Sequence, residues 1–284
     1  MCSFSVVVLT LGDRPEDLSR AIDSARSQTG VNTEVVLVVN GGAPDLSLAD
    51  VVVQPSENTG IPEGRNIGAN AASGEYLCFL DDDGQLVTTD IFSQAAARME
   101  ENANLSVIAL RIVDEFGKSA RRHFPGLRKK YDNSGFMTSF PGGASIMRRK
   151  KFLDMNGFCG EFFYGLEETD LAWRLLDDGE QIKYCSDLLM QHPRTLPTRH
   201  AMFAFNTSRN RVWLVHRLLP LPLAVLYIIN WLIISCLRNF RHPRVLKGII
   251  SGTIAGLQHR VGPRTPISWR TIFLMSRLGR PPII

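Results

Sequence analysis

Short apolar runs alternate with stretches of helical periodicity through the first 112 residues, and no other feature narrows the available folds as much. Phe4–Thr10 is a β-branched run of the kind buried on both faces of a parallel sheet. Glu34–Val39, Asp50–Gln54, Tyr76–Leu80 and Leu105–Ile112 read as further strands. Between the first two, Pro15 opens a predicted helix with Leu18, Ala21, Ile22 and Ala25 on one face. Residues 58–72 are Gly-rich and then helical, and another helix is predicted around Thr89–Glu100. Strands alternating with helices imply a parallel α/β sheet with its ligand at the carboxyl ends of the strands. Asp81-Asp82-Asp83 stands at one such end. Residues 114–140 read as irregular, and their basic groups Arg121-Arg122-His123 and Arg128-Lys129-Lys130 suit either solvated loop charge or contact with an acceptor or lipid phosphate. A strand at Ile182–Tyr184 and its loop precede Gln191-His192-Pro193.

At 284 residues, with 44% apolar and 21% charged content, the chain can bury a full core. Its net charge of +4 conceals a division. No Asp or Glu follows Asp187, whereas fourteen Lys and Arg run from Arg194 to Arg280. The other eighteen basic residues face all 28 acids within residues 1–187, so that part carries a net charge near −10 and the remainder +14. A cationic segment of this kind attracts nucleic acid or anionic lipid, and its apolar content favours lipid. Leu218–Leu237 contains no charge and is about long enough to span a bilayer, but Pro220 and Pro222 leave clean helix only from Leu223. A second stripe, Val245, Leu246, Ile249, Ile250, Thr253, Ile254 and Leu257, has the spacing of one helix face. The expectation is a membrane-embedded or re-entrant tail; the plainer alternative is a helical hairpin buried against the rest. Five cysteines without a CxxC pair suggest neither a disulfide framework nor a thiolate zinc site, and so a reducing compartment. Because Phe4–Thr10 follows almost at once, no signal peptide is read, which places the catalytic part at the cytoplasmic face of the cell membrane.

Three groups of residues carry chemistry. Consecutive carboxylates after a buried strand repel one another and are best tolerated beside a cation; Asp81 and Asp83 suit a hard divalent ion, although a solvated acidic turn accounts for the triplet taken alone. Glu167-Glu168-Thr169-Asp170 places three acids where a helix dipole favours one or two. There, Glu168 can take a proton from an attacking hydroxyl if Glu167, Asp170 or burial lifts it toward neutrality. His192 is either structural or a third ligand, of the kind manganese accepts and magnesium usually does not.

These pieces occur in an order and at spacings that resemble the family 2 glycosyltransferases. The similarity covers residues 4–195. It runs through the opening strand and Thr10, Asn58-Thr59-Gly60, Gly64-Arg65-Asn66-Ile67-Gly68, Ala72-Ser73-Gly74-Glu75-Tyr76 and Phe79-Leu80-Asp81-Asp82-Asp83. It continues in Gly142-Gly143-Ala144-Ser145 with Arg148, Gly157-Phe158, Glu161-Phe162-Phe163, Glu167-Glu168-Thr169-Asp170-Leu171 and His192. The resemblance implies the GT-A fold, a mixed, mostly parallel sheet flanked by helices, and inverting transfer from a nucleotide-sugar donor. By position it implies that Asp81, Asp83 and His192 hold Mn2+ or Mg2+ and that Glu168 is the catalytic base, with Glu167 and Asp170 as supporting acids. Thr10, Asn40, Arg65, Asp81, Asp82 and Gly143 would meet the nucleotide-sugar, Asp82 near the ribose. Asn40 stands where the family often has a carboxylate, so uridine and thymidine donors both stay open.

The expected organisation is a catalytic domain over 1–205 and a basic, hydrophobic helical tail over 206–284. The tail suggests an anionic membrane surface as partner and a lipid-linked or cell-envelope glycan as acceptor. A non-catalytic membrane-binding protein with a degenerate sugar-nucleotide domain is the rival of a different class. No nucleic-acid reading motif and no GxxxxGK[ST] loop is present, which disfavours nucleic-acid binding and P-loop chemistry.

Overall fold

The computed structural model describes residues 1–126, 131–194 and 202–283. The basic group Arg128-Lys129-Lys130 lies outside the described residues. In chain order the first elements are β1 (Ser3–Thr10), α1 (Pro15–Arg26), β2 (Asn32–Val39), β3 (Val51–Val53), α2 (Gly60–Ala71) and β4 (Tyr76–Asp81). They are followed by β5 (Gln85–Leu86), α3 (Ile91–Glu101), β6 (Leu105–Val113), β7 (Gly135–Phe136), β8 (Ala144–Arg148) and α4 (Arg149–Asp154). The last are α5 (Glu167–Asp177), β9 (Gln181–Gln191), α6 (Phe203–Leu218), α7 (Leu221–Asn239), α8 (Pro243–Gln258) and α9 (Trp269–Arg277).

The strands form one mixed sheet in the order β3-β2-β1-β4-β8-β6-β9-β5, with β7 also paired to β9. β1 to β4 pair in parallel, as their apolar runs imply, and β6 pairs in parallel with β9. β8 enters between β4 and β6 antiparallel to both. Alternation along β1 sends Phe4, Val6 and Val8 to one face and Val7 to the other. The first face is covered by the predicted stripe Leu18, Ala21, Ile22 and Ala25 of α1 and by Ile91, Phe92, Ala95 and Met99 of α3. The opposite face is covered by α5 and α6, among others, through Leu171, Leu175, Trp213 and Leu214. Each fully buried Val, Leu, Ile, Phe or Met side chain among these contributes roughly 1.5–3 kcal/mol.

Three expectations change. The strand foreseen at Ile182–Tyr184 extends to Gln191, with a register shift after Cys185 that absorbs Ser186, Asp187 and Leu188. His192 therefore follows the sheet directly, its N–H donating to Val113 O at 2.9 Å, with no loop between. The uncharged run from Leu218 is two elements, because α6 ends at Leu218 and α7 begins at Leu221. Pro222 sits in the first turn of α7, where no backbone donor is lost, so it does not break the helix. The third change concerns the stripe on α8, which is divided between two faces: Ile249 and Thr253 are buried, whereas Ile250, Ile254 and Leu257 are exposed. Gly252 lets α8 approach α6 closely, since a Cβ there would lie 2.2 Å from Phe205 O.

α7 is long and apolar enough to cross a membrane by length and composition, and only 11% of its apolar window is buried. Ala224 and Tyr227 face the protein, while Leu221, Val225, Leu226, Ile229, Ile233 and Leu237 face outward. The boundary placed at 205/206 falls inside α6.

Candidate active site

Thr10, Asn40 and Asp81-Asp82-Asp83 gather at the carboxyl ends of β1, β2 and β4. Asp82 is buried; Thr10 Oγ1 donates to its Oδ2 at 2.8 Å and Arg14 Nη2 reaches its Oδ1 at 2.7 Å. Burial and the charges of Asp83 and Asp81 outweigh these contacts and push Asp82 up to about 6. Asp83, also buried, pairs with Arg14 and with His192, whose Nε2 is 3.1 Å from its Oδ1. Asp81 accepts from Arg65 Nη2 at 2.9 Å. Gly143 sits against it so closely that a Cβ would lie 2.0 Å from Asp81 Oδ1.

One ligand atom from each of Asp81, Asp83 and His192 lies within 4.8 Å of the others. Ions with bonds of about 2.0–2.4 Å hold ligands roughly 3–5 Å apart, so the three side chains fit one ion. The His192 ring makes the same point independently. Its Nδ1 lies 2.7 Å from Pro193 O while Nε2 faces a carboxylate. A neutral imidazole donates from one nitrogen only, so this arrangement requires a cation at Nε2, either a proton or a metal. Although burial opposes it, the hydrogen bond and charge of Asp83, with the charge of Asp81, raise the affinity of His192 for a proton. The His123 ring stands edge-on to His192 at 5.6 Å, which brings part of the basic group at 121–123 beside the carboxylates.

Arg65 connects this group to the second. Its Nη1 is 3.6 Å from Glu167 Oε1, and Glu167 is buried with Oε2 lacking a hydrogen-bond partner. Glu168 is half-buried beside it. Burial, followed by the charge of Glu167, pushes Glu168 up to about 8, and burial raises Glu167 despite the nearby Arg65. The geometry thus yields a carboxyl able to exchange a proton near neutral pH beside Glu167, which Arg65 links to a carboxylate and histidine group spaced to fit one ion.

Two predicted residues do other work. Asn40 is buried with its amide engaged: Nδ2 donates to Asn58 Oδ1 and Gly60 O, and Oδ1 accepts from Thr59 N and Oγ1. It fixes the loop ahead of α2, leaving no free group to read a nucleobase. Asp170, fully buried, accepts from Arg174 Nε and Arg217 Nε, each at 2.8 Å. Two guanidiniums neutralise it, so Glu167 and not Asp170 raises Glu168.

The model for glycosyl transferase family 2 matches residues 5–168, more than half of the chain. The chain belongs to that family. Among relatives of this family 2 chain, a glucosyl-dolichyl phosphate glucuronosyltransferase of Haloferax volcanii is 24% identical over 241 residues, covering 75% of this chain and 73% of the relative. The chain spans only 17%, 56% and 36% of the length of three other relatives, one from Rickettsia bellii and two from Haemophilus influenzae. Its fold is that of residues 1–349 of S. aureus TarS, solved with UDP-GlcNAc, at TM-score 0.65 and 16% identity, covering 96% of this chain and 83% of that one. GalNAc-T7, solved with UDP, GalNAc and Mn2+, matches at TM-score 0.64 and 16% identity, covering 91% of this chain and 57% of that one. The architecture is GT-A.

The family 2 match ends on Glu168, but the residues that fix this acid lie beyond it. Asn210 of α6 is buried, with Nδ2 2.8–3.0 Å from the carbonyls of Phe162, Tyr164 and Gly165. Those carbonyls belong to a turn that holds Phe163 and Leu166 at positive φ (61° and 70°), a conformation costing about 1–3 kcal/mol at each such residue. Asn210 and Arg217 sit in a segment whose composition speaks for a tail, and no local pattern announces their partners. Arg14 was likewise only a loop residue in the sequence.

Proposed function

We propose that this protein transfers a sugar, with inversion, from a UDP- or dTDP-sugar to a hydroxyl of a lipid-linked or cell-envelope glycan acceptor. The observation that carries this reading is the convergence of Asp81, Asp83 and His192 within 4.8 Å, linked through Arg65 to the Glu167–Glu168 pair. Asp81, Asp83 and His192 hold Mn2+ or Mg2+. When bound, the ion supplies positive charge against which the diphosphate can leave. Thr10, Asp82 and Arg14 line the nucleoside side, and Gly143 leaves room for the sugar where any side chain would strike Asp81. Arg65 offers its guanidinium to the diphosphate, while Asn40 acts only by setting the 58–60 loop. Glu168 takes the acceptor's hydroxyl proton as that oxygen bonds to the anomeric carbon, and the bond from this carbon to the diphosphate oxygen breaks on the opposite face.

The same reading places the protein on the cytoplasmic face of the cell membrane. The outward face of α7, the exposed Trp269 and Phe273 of α9 and an acid-free basic segment support it, since an apolar face flanked by Lys and Arg suits an anionic bilayer surface. Five cysteines, all free, support a reducing compartment. The Haloferax relative, by its name a glucuronosyltransferase of glucosyl-dolichyl phosphate, supports an acceptor carried on a lipid phosphate. Incubation with a panel of nucleotide sugars tests the reaction. At least one UDP- or dTDP-sugar should be turned over with Mn2+, turnover should stop with EDTA, and Mn2+ should restore it; undiminished turnover in EDTA would remove the metal from this reading.

A further inference from the structure

α7 is long enough to cross a bilayer, but its neighbours decide how it lies. α6 and α8 run side by side in the same direction. A Cβ on Gly248 would lie 3.2 Å from Ala204 Cβ, and one on Gly256 2.8 Å from Val212 Cβ. Further along, Trp213 Nε1 donates to His259 O at 2.6 Å and Ile267 N to Leu218 O at 2.9 Å. α7 joins the end of α6 to the start of α8, so it must return antiparallel along the pair. Its 19 residues rise about 28 Å against about 24 Å for the 16 of α6, so the return is complete.

Protein holds the inward side of α7 along this course. The Tyr227 ring meets Trp173 of α5 edge-on at 6.2 Å, Asn230 Nδ2 donates to Ile283 O at 3.0 Å, and the Arg211 guanidinium of α6 stacks 3.9 Å over the Trp231 ring. α6 in turn is fixed in the catalytic part: Trp213, Leu214 and Leu218 share its core, and Asn210 and Arg217 hold the turn and the helix that carry Glu168. On the outward side an apolar residue recurs at every fourth position, Leu221, Val225, Ile229, Ile233 and Leu237, all exposed. Exposed Arg238, Arg241, Arg244 and Lys247 stand where α7 gives way to α8, and no acid follows Asp187.

We propose that α7 lies in the plane of the membrane surface, its exposed stripe sunk into one anionic leaflet and both its ends on the side of the catalytic part, so that the chain docks without crossing the bilayer. The proposal rests on the membrane part of the function proposed above and fixes its topology. Crossing would draw Arg211 and Asn230 into hydrocarbon or strip α6 from the catalytic core, and either is costly. A stripe lying in the plane sinks only about 5–10 Å, to the boundary of headgroups and acyl chains, where the flanking Arg and Lys meet lipid phosphates. Because Tyr227 touches Trp173 of α5, the docked surface lies one helix away from Glu168, and an acceptor reaches the base from the leaflet on which the protein sits.

The test attaches a nitrobenzoxadiazole dye to the full chain at one position at a time, through Leu221→Cys, Ile229→Cys or Leu237→Cys, with Cys2→Ser and Cys236→Ser removing the partly exposed thiols. All three dye positions are exposed, so the fold should tolerate them. Each protein is added to sealed phosphatidylcholine vesicles doped with phosphatidylglycerol. Dithionite, which does not cross the bilayer, is then added outside, and depth is read separately by quenching with spin-labelled lipids. The proposal predicts that outside dithionite abolishes the fluorescence at all three positions and that the three dyes lie at one shallow depth. An end protected until detergent opens the vesicles, a dye at Ile229→Cys far deeper than those at both ends, or a floating chain whose dyes spin-labelled lipids do not quench would each overturn it. Failure of the unsubstituted chain to float with these vesicles would instead defeat the membrane reading itself, and this topology with it.

Discussion

Glu168 derives its chemistry from its neighbours. Two causes push it upward, burial and the charge of Glu167. In the proposed role Glu168 must be ionised to accept a proton, so transfer should rise with pH toward about 8. Glu167→Gln removes the second cause, and the rising limb of the pH–rate profile should move to lower pH; a limb that stays in place would mean that another group sets it. The sign for stability is the reverse. Both carboxyls hold protons in the native state that the unfolded chain has already released, so their contribution declines as pH rises from the ordinary Glu value of 4.5 toward the raised ones. Asp81, Asp83 and His192 were legible in the sequence only together, since the triplet alone suits a solvated turn and a single histidine a structural role; Glu167-Glu168-Thr169-Asp170 stood out by holding three acids where a helix dipole favours one or two. Arg14 was not, because an arginine in a loop looks like solvated charge until its partners Asp82 and Asp83 are in view.

At the scale of elements, the turn before α5 and the helix α6 form one device. Asn210 gathers three carbonyls of the strained turn, and Arg217 meets Asp170 within α5. Removing one member of such a buried ionic set costs about 3–5 kcal/mol. Asp170→Ala should therefore lower unfolding stability by about that much in a denaturant titration; a loss below about 1 kcal/mol would show the pair to be hydrated and dispensable. The strands β1, β2 and β4 were readable from apolar runs, whereas β8 was hidden because Ala144–Arg148 is short and adjoins the glycines of a site motif. The length of β9 was hidden by its irregular stretch at Ser186-Asp187, which interrupts the apolar pattern without ending the strand.

Across the whole molecule, a negatively charged catalytic part and a strongly basic helical part share one core, since Trp213, Leu214, Tyr227 and Met275 pack with Phe79 and Leu171. Removing the tail would strip Asn210 and Arg217 from the site, so membrane binding is better tested by surface change. Ile229→Asp with Ile233→Asp, on the outward face of α7, should abolish flotation with phosphatidylglycerol vesicles and preserve thermal stability; flotation unaffected by both changes would place the membrane contact elsewhere. The sequence showed that the tail was basic and apolar but not that α6 is largely buried while α7 turns most of its apolar residues outward, because composition does not distinguish a protein neighbour from a lipid one. The central claim, that this surface presents an acceptor to a metal-dependent site with Glu168 as base, is tested most directly by one comparison. With the full-length protein on vesicles, transfer of labelled sugar from its nucleotide donor is measured for the native chain and for Glu168→Gln, alongside Mn2+-dependent donor binding. The account predicts transfer reduced by about 10²–10⁴-fold with donor binding unchanged; transfer at the native rate in Glu168→Gln would contradict it.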